Sequence, residues 1–266
     1  MRYLDDATLR RISDHILRAS VRGLRIHCLL ELLRCGAGAP GEEEALDARV
    51  ACALRHGGSG AQGSSCGSWG SLGSCGPAAL APGAQPVPAF PDVAMRERQN
   101  RRTYVYLAQA LQGLFPHADV PRALPPSCFF EVQYDGALHA INAALTASLQ
   151  NYASVQRYLM LAIFDACPAE QTRVYTADFA QQPNNFFEGD DGVWSQNFLF
   201  YNIQRGKILI FTLKAVPEPD GLDDEFADEY FDDDRGGDGD SDERIPLDGS
   251  NFDAVFPDGS KFFNLF

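Results

Sequence analysis

The chain has no apolar run approaching the roughly 20 residues that a membrane-crossing helix needs. Its longest such run, Tyr158 to Phe164, has the length of a core segment. The opening residues, MRYLDDATLRR, carry acids where a signal peptide needs an apolar centre. A soluble, intracellular protein without membrane contact is the expectation. Patterned cysteines are missing as well. Seven stand at 28, 35, 52, 66, 75, 128 and 167, an odd number, and no CxxC or Cys/His pair has zinc spacing. Reduced thiols follow, with no metal and no cofactor. Neither GxSxG nor a phosphate-cradling GxxxxGK loop occurs, and His15, His27, His56, His117 and His139 are scattered. No enzyme is expected.

Basic residues are scarce where acids are dense. Residues 1–216 hold 19 Lys and Arg against 19 Asp and Glu, whereas residues 217–266 hold 3 against 17. The body is neutral, and the tail carries the whole formal charge of −14. Phosphate contacts require Lys and Arg, so direct nucleic-acid binding is not expected.

A linker divides the rest. From residue 57 to 77, 14 of 21 residues are Gly or Ser, and Pro-rich sequence continues to Pro91. Such a stretch buries too little surface to offset backbone ordering. About 35 flexible residues reach roughly 30–35 Å, so the flanking segments can share one core. The expected organisation is a first core part over 1–56, a linker over 57–95, the main core over 96–216, and an acidic, disordered tail with an aromatic end over 217–266.

Within the core parts, Leu9, Ile12, Ile16 and Leu17 fall at helical spacing over residues 4–18, with Asp5 or Asp6 as the cap. A strand-like run spans 24–33, and a further helix is read over 42–54. Thr103, Tyr106, Leu107, Ala110, Leu111 and Leu114 share a helical face. Residues 128–134 and 173–179 read as strands, 137–149 and 152–165 as helices, and 181–192 as a turn-rich loop. Helices interspersed with hairpins predict an α+β fold: an antiparallel sheet with helices packed on one face, a single core interrupted by the linker.

The clearest local signal is WSQNFLFYN, residues 194–202, followed by KILIFTL, 207–213. The connection Ile203-Gln204-Arg205-Gly206 ends in a glycine free to take positive φ, which is a hairpin signal. Alternation puts Trp194, Phe198 and Phe200 on one face, read as core, and Ser195, Asn197 and Tyr201 on the other. The second run is apolar on both faces, as a central covered strand is. Buried amides and hydroxyls need partners, so these polar residues are expected to bond a neighbouring loop or a partner protein.

This block resembles the signature of the Maf-type repressors of RNA polymerase III, through Trp194, Ser195, Asn197, Phe198, Phe200, Tyr201, Asn202, Ile208 and Phe211. The start MRYLDDATLRRIS is similar to that family's opening. IHCLLELLRCG resembles its first block, with Glu31 and Cys35 matching, but Leu33, Arg34 and Gly36 stand where the family has Tyr, Ser and Lys. Arg102-Thr103 with Tyr106-Leu107, Leu111 and residues 115–119 resembles the helix of its second block, and Val174-Tyr175-Thr176 holds the usual position before the third.

The resemblance implies a non-enzymatic repressor that binds the clamp region of the polymerase and contacts the TFIIB-related subunit of TFIIIB. It implies control by a kinase and a phosphatase, and a nuclear protein with a cytoplasmic pool. As family-signature and partner-binding candidates it marks Glu31, Cys35, Trp194, Ser195, Asn197, Tyr201 and Asn202. Ser13, in Arg10-Arg11-Ile12-Ser13, is a candidate phosphosite. Arg96, Arg98, Arg101 and Arg102 form a candidate nuclear-localisation patch, weighed against a solvated helix start. A second reading, from charge alone, is an acidic-tailed chaperone or scaffold for basic nuclear proteins.

Overall fold

Short polar turns and long β-branched and aromatic runs build a six-stranded sheet in which every pairing is antiparallel, in the order β1-β2-β6-β5-β4-β3. The strands are β1 (Arg2–Leu4), β2 (Leu24–Arg34), β3 (Phe129–Val132), β4 (Thr172–Ala177), β5 (Trp194–Asn202) and β6 (Lys207–Pro217). The helices are α1 (Ala7–Arg18), α2 (Arg98–Leu114), α3 (Tyr134–Ser148) and α4 (Ala153–Ala166). The computed structural model describes residues 1–19, 23–36, 41, 44–45, 47–48, 87–115, 120, 124–178 and 192–217. The expected acidic tail beyond Pro217, the 57–86 part of the linker, most of the helix read over 42–54 and nearly all of the turn-rich loop lie outside these residues.

The fold class is the α+β arrangement that the periodicities predict. The hairpin pairs Asn202 with Lys207 through Trp194 with Ala215, and Gly206 closes the turn at φ +58°. Asp6 caps α1, its Oδ1 accepting from the N–H of Thr8 at 2.9 Å and of Leu9 at 3.2 Å. β6 lies between β2 and β5, and its run is apolar on both faces because both are covered by helices.

Helices on one face is the expectation that fails. α1 packs on β2 and on α4, and the ring of Tyr134, opening α3, meets Phe200 edge-on at 5.6 Å. The opposite face, with Tyr175, Leu199, Tyr201, Ile208 and Ile210, belongs to one buried cluster with α2. The sheet is therefore covered on both sides. In the middle of α2, Thr103 through Ala108 are all buried, because the chain before and after the helix wraps its outer side. Phe90 stacks on Tyr175 at 5.5 Å and sits edge-on to Tyr104 at 6.1 Å, and the Tyr104 hydroxyl donates to the carbonyl of Leu124 at 3.0 Å.

That wrapping also moves the boundary at residue 95. Pro88 bridges Phe130, Ala89 N–H donates to the Phe129 carbonyl at 2.7 Å, and Phe90 and Met95 are buried. Packed chain is present from Pro88, ahead of Arg96: two apolar anchors and a bridge hold residues that composition alone assigns to the linker. Strand β1 is a further addition, three residues pairing Arg2, Tyr3 and Leu4 with Arg34, Leu33 and Leu32 at the sheet edge.

Candidate functional site

Asn197, the amide in the middle of β5, finds its partners inside the molecule. Asn197 is 7% exposed, and its amide clamps the last residue of β4. Ala177 N–H donates to Asn197 Oδ1 at 2.9 Å, and Asn197 Nδ2 donates to the Ala177 carbonyl at 3.1 Å. The Thr176 hydroxyl also reaches Oδ1, at 3.4 Å. Backbone pairing between β4 and β5 stops at Tyr175 and Leu199, so the side chain continues the ladder where the main chains have parted. Asn202 Oδ1 accepts from the N–H of Arg205 at 2.8 Å and so braces the hairpin turn, while its buried Nδ2 has no hydrogen-bond partner among the described residues. Ser195 is buried with an interaction of its own.

Tyr201 opens onto the other two blocks. On the α2 side of the sheet its ring lies edge-on to Tyr106 at 6.1 Å, and burial, with Cys35 and Tyr106 beside it, pushes its phenol pKa up. Arg102 donates from Nε to the Tyr106 hydroxyl at 2.8 Å and holds its guanidinium 5.4 Å from that ring's centre. Cys35 follows directly on β2, and its N–H donates to the carbonyl of Gly206 at 2.8 Å. Cys35, Arg102 with Tyr106, and Tyr201 thus come from three distant stretches to one end of the sheet. Arg102 on its exposed side, with Tyr106 four residues on, is the member of this junction that a localisation reading passes over; the i, i+4 spacing was its signal.

Glu31 projects from β2 on the same face. It is half-buried, Oε2 is enclosed with no hydrogen-bond partner among the described residues, and burial pushes its carboxyl pKa up. The Tyr3 phenol is raised by burial and then by this carboxylate. A group whose folded pKa is raised gives stability that is complete below the ordinary carboxyl range and lost as pH rises through the raised value. Stability measured by urea unfolding should therefore fall as pH climbs out of the acid range, and Glu31→Gln should remove that part of the slope and be the more stable protein at neutral pH. Equal slopes in both proteins would contradict this.

The other candidates separate. Phe198 and Phe200 are core, but Trp194 is only partly buried: it begins the strand, beside the exposed Val193. Ser13 Oγ is enclosed against the sheet near the Cys28 thiol without forming a hydrogen bond of regular geometry, and burial pushes that thiol up to about 12. Arg96 and Arg98 are exposed. Arg101 is tied down, with Nε 3.1 Å from Asp47 Oδ1 and Nη1 donating to the carbonyls of Met95 and Arg96 at 3.1 and 2.8 Å. Cys28, Cys35, Cys128 and Cys167 form no disulfide, and no group of His, Cys, Asp and Glu among the described residues is arranged to hold a metal.

This set of residues joins segments and leaves a partly exposed rim. The fold has known counterparts. Two crystal structures of citrus MAF1, in space groups P 31 2 1 and C 2 2 21, superpose on the chain with a TM-score of 0.52 at 16% identity. They cover 80% and 79% of this chain and 98% of their own. At that identity the likeness speaks for the fold. No curated protein sequence matches the chain. The sequence profile of the Maf1 regulator matches residues 52–212, which is well over half of the 266 and includes Arg102, Tyr106 and the whole Asn197 clamp. With profile and fold in agreement, the chain belongs to the Maf1 regulator family.

Proposed function

We propose that this protein represses RNA polymerase III transcription of tRNA and 5S rRNA genes. It binds the polymerase in its clamp region, contacts the TFIIB-related subunit of TFIIIB, and impedes recruitment to TFIIIB-bound promoters. It works in the nucleus, with a cytoplasmic pool set by phosphorylation; cellular protein free of phosphate would remove that last part. What carries the reading is the junction of Cys35, Arg102, Tyr106 and Tyr201, where the segments resembling the repressor family meet on one sheet within a chain of the Maf1 regulator family. A regulator that acts by docking needs no catalytic group.

Retention of polymerase III from a nuclear extract by the intact protein tests it. Trp194 is partly exposed at the start of β5, so Trp194→Ala trims a surface ring without opening the core. Because Trp194 is a partner-binding candidate of the family signature, the change should lower retention by about tenfold or more: truncating a tryptophan that anchors an interface costs about 2 kcal/mol or more. An intact protein that retains no polymerase would sink the proposal. The scaffold reading differs in one respect: it requires the acidic residues beyond Pro217 for every client, whereas the repressor keeps polymerase without them.

A further inference from the structure

Sheet register places three cations side by side. Arg2 of β1 pairs with Arg34 of β2, and Arg34 pairs with Lys207 of β6. The row continues to Asn202 of β5, which is 0% exposed and whose Nδ2 is buried without a hydrogen-bond partner among the described residues. Arg2 and Arg34 are exposed and Lys207 half-exposed, all at the end of the sheet where the β5–β6 hairpin turns. Exposed Arg205 adds a fourth cation in that turn, anchored through Nη1 to the carbonyl of Asp165 at 3.1 Å.

Like charges directly opposite on neighbouring strands repel and weaken the pairing. Nothing among the described residues relieves them: no ion pair reaches Arg2, Arg34 or Lys207. Asp5 is held by Arg10 at 2.7 Å, and Asp6 accepts the first N–H groups of α1.

We propose that this rim docks an acidic peptide segment of a partner protein. Strands lie about 4.8 Å apart, so the row spans roughly 10 Å, and alternate side chains of an extended peptide recur about every 6.7 Å. A line of carboxylates on one side of such a peptide matches a line of cations, and the two arginine forks suit carboxylate geometry. A single free anion would need converging donors; these are spread along an edge. The inference goes beyond the repressor proposal and stands or falls separately from it.

Fluorescence anisotropy of a labelled Glu-Ser repeat peptide, titrated with the full chain at low salt and again at physiological salt, tests the rim. Binding should be salt-sensitive, and the combined Arg2→Glu, Arg34→Glu and Lys207→Glu variant should lose it by about tenfold or more. Should that variant misfold, the neutral pair Arg2→Gln and Arg34→Gln, checked by circular dichroism, should still weaken binding about threefold. Unchanged affinity in the folded variants overturns the proposal, as does an intact chain that ignores the peptide. Equally tight binding of single-stranded DNA of matched charge, lost in the same variants, would make the rim a nucleic-acid site and overturn the assignment. So would self-association in sedimentation that the variants abolish, which would make the occupant a second copy.

Discussion

Asn197→Ala should unfold at markedly lower urea, with a loss of about 3 kcal/mol. The alanine leaves the Ala177 N–H and carbonyl without their side-chain partner inside a covered sheet, and each orphaned buried group costs about 1–3 kcal/mol. Partial entry of water at the strand end offsets some of the two penalties. Asn197→Asp separates geometry from chemistry. It keeps the acceptor for Ala177 N–H but loses the Nδ2 donor and buries a carboxylate, so it should be about as damaging at neutral pH and recover on acidification, when the carboxyl protonates and can donate again. Asn202→Ala is the comparison. It removes one bond to Arg205 N–H in a turn and also deletes an unpartnered Nδ2, so its cost should stay near 1 kcal/mol or below. If Asn197→Ala were as mild as Asn202→Ala, the amide clamp would not be what holds β4 to β5 beyond Tyr175.

The clamp shows how far the sequence alone could go. Alternation along 194–202 put Ser195, Asn197 and Tyr201 on one face, and the rule that buried amides need partners marked Asn197 as a residue with a task. The partner itself was out of reach, because Ala177 lies twenty residues away and has no polar side chain to advertise the contact; only its backbone takes part. The hairpin, with Gly206 at positive φ and a central strand apolar on both sides, was legible because both signals are local.

What was hidden depends on distant or very short elements. β1 has three residues, too few for any period to show. Phe90 and Met95 are single anchors in proline-rich sequence, where composition argues for a linker. The second helix-covered face follows from α2 being buried nearly all round at its middle, and a stripe of Thr103, Tyr106, Leu107, Ala110 and Leu111 hid Tyr104 and Val105 on its other side. At the candidate site, block order along the chain suggested which residues matter, but that Cys35, Tyr106 and Tyr201 share one end of the sheet, with Arg102 over them, required the fold. Trp194 looked like core by alternation and is partly open, at the end of β5 beside the exposed Val193.

A repressor that impedes recruitment makes a claim about timing, and timing has the largest expected effect on function. A contact in the clamp region of the free polymerase acts before the enzyme reaches its promoter; once the polymerase is engaged, the same protein arrives too late. The deciding measurement is single-round transcription of a tRNA gene reconstituted with TFIIIB and polymerase III, with the protein added either before the polymerase meets the TFIIIB–DNA complex or after. Added before, at saturating concentration, it should lower transcript by about tenfold, the factor that about 1.4 kcal/mol of competing free energy supplies. Added after, it should leave the round unchanged. Full transcript in both orders, with polymerase binding intact, would contradict repression by blocked recruitment.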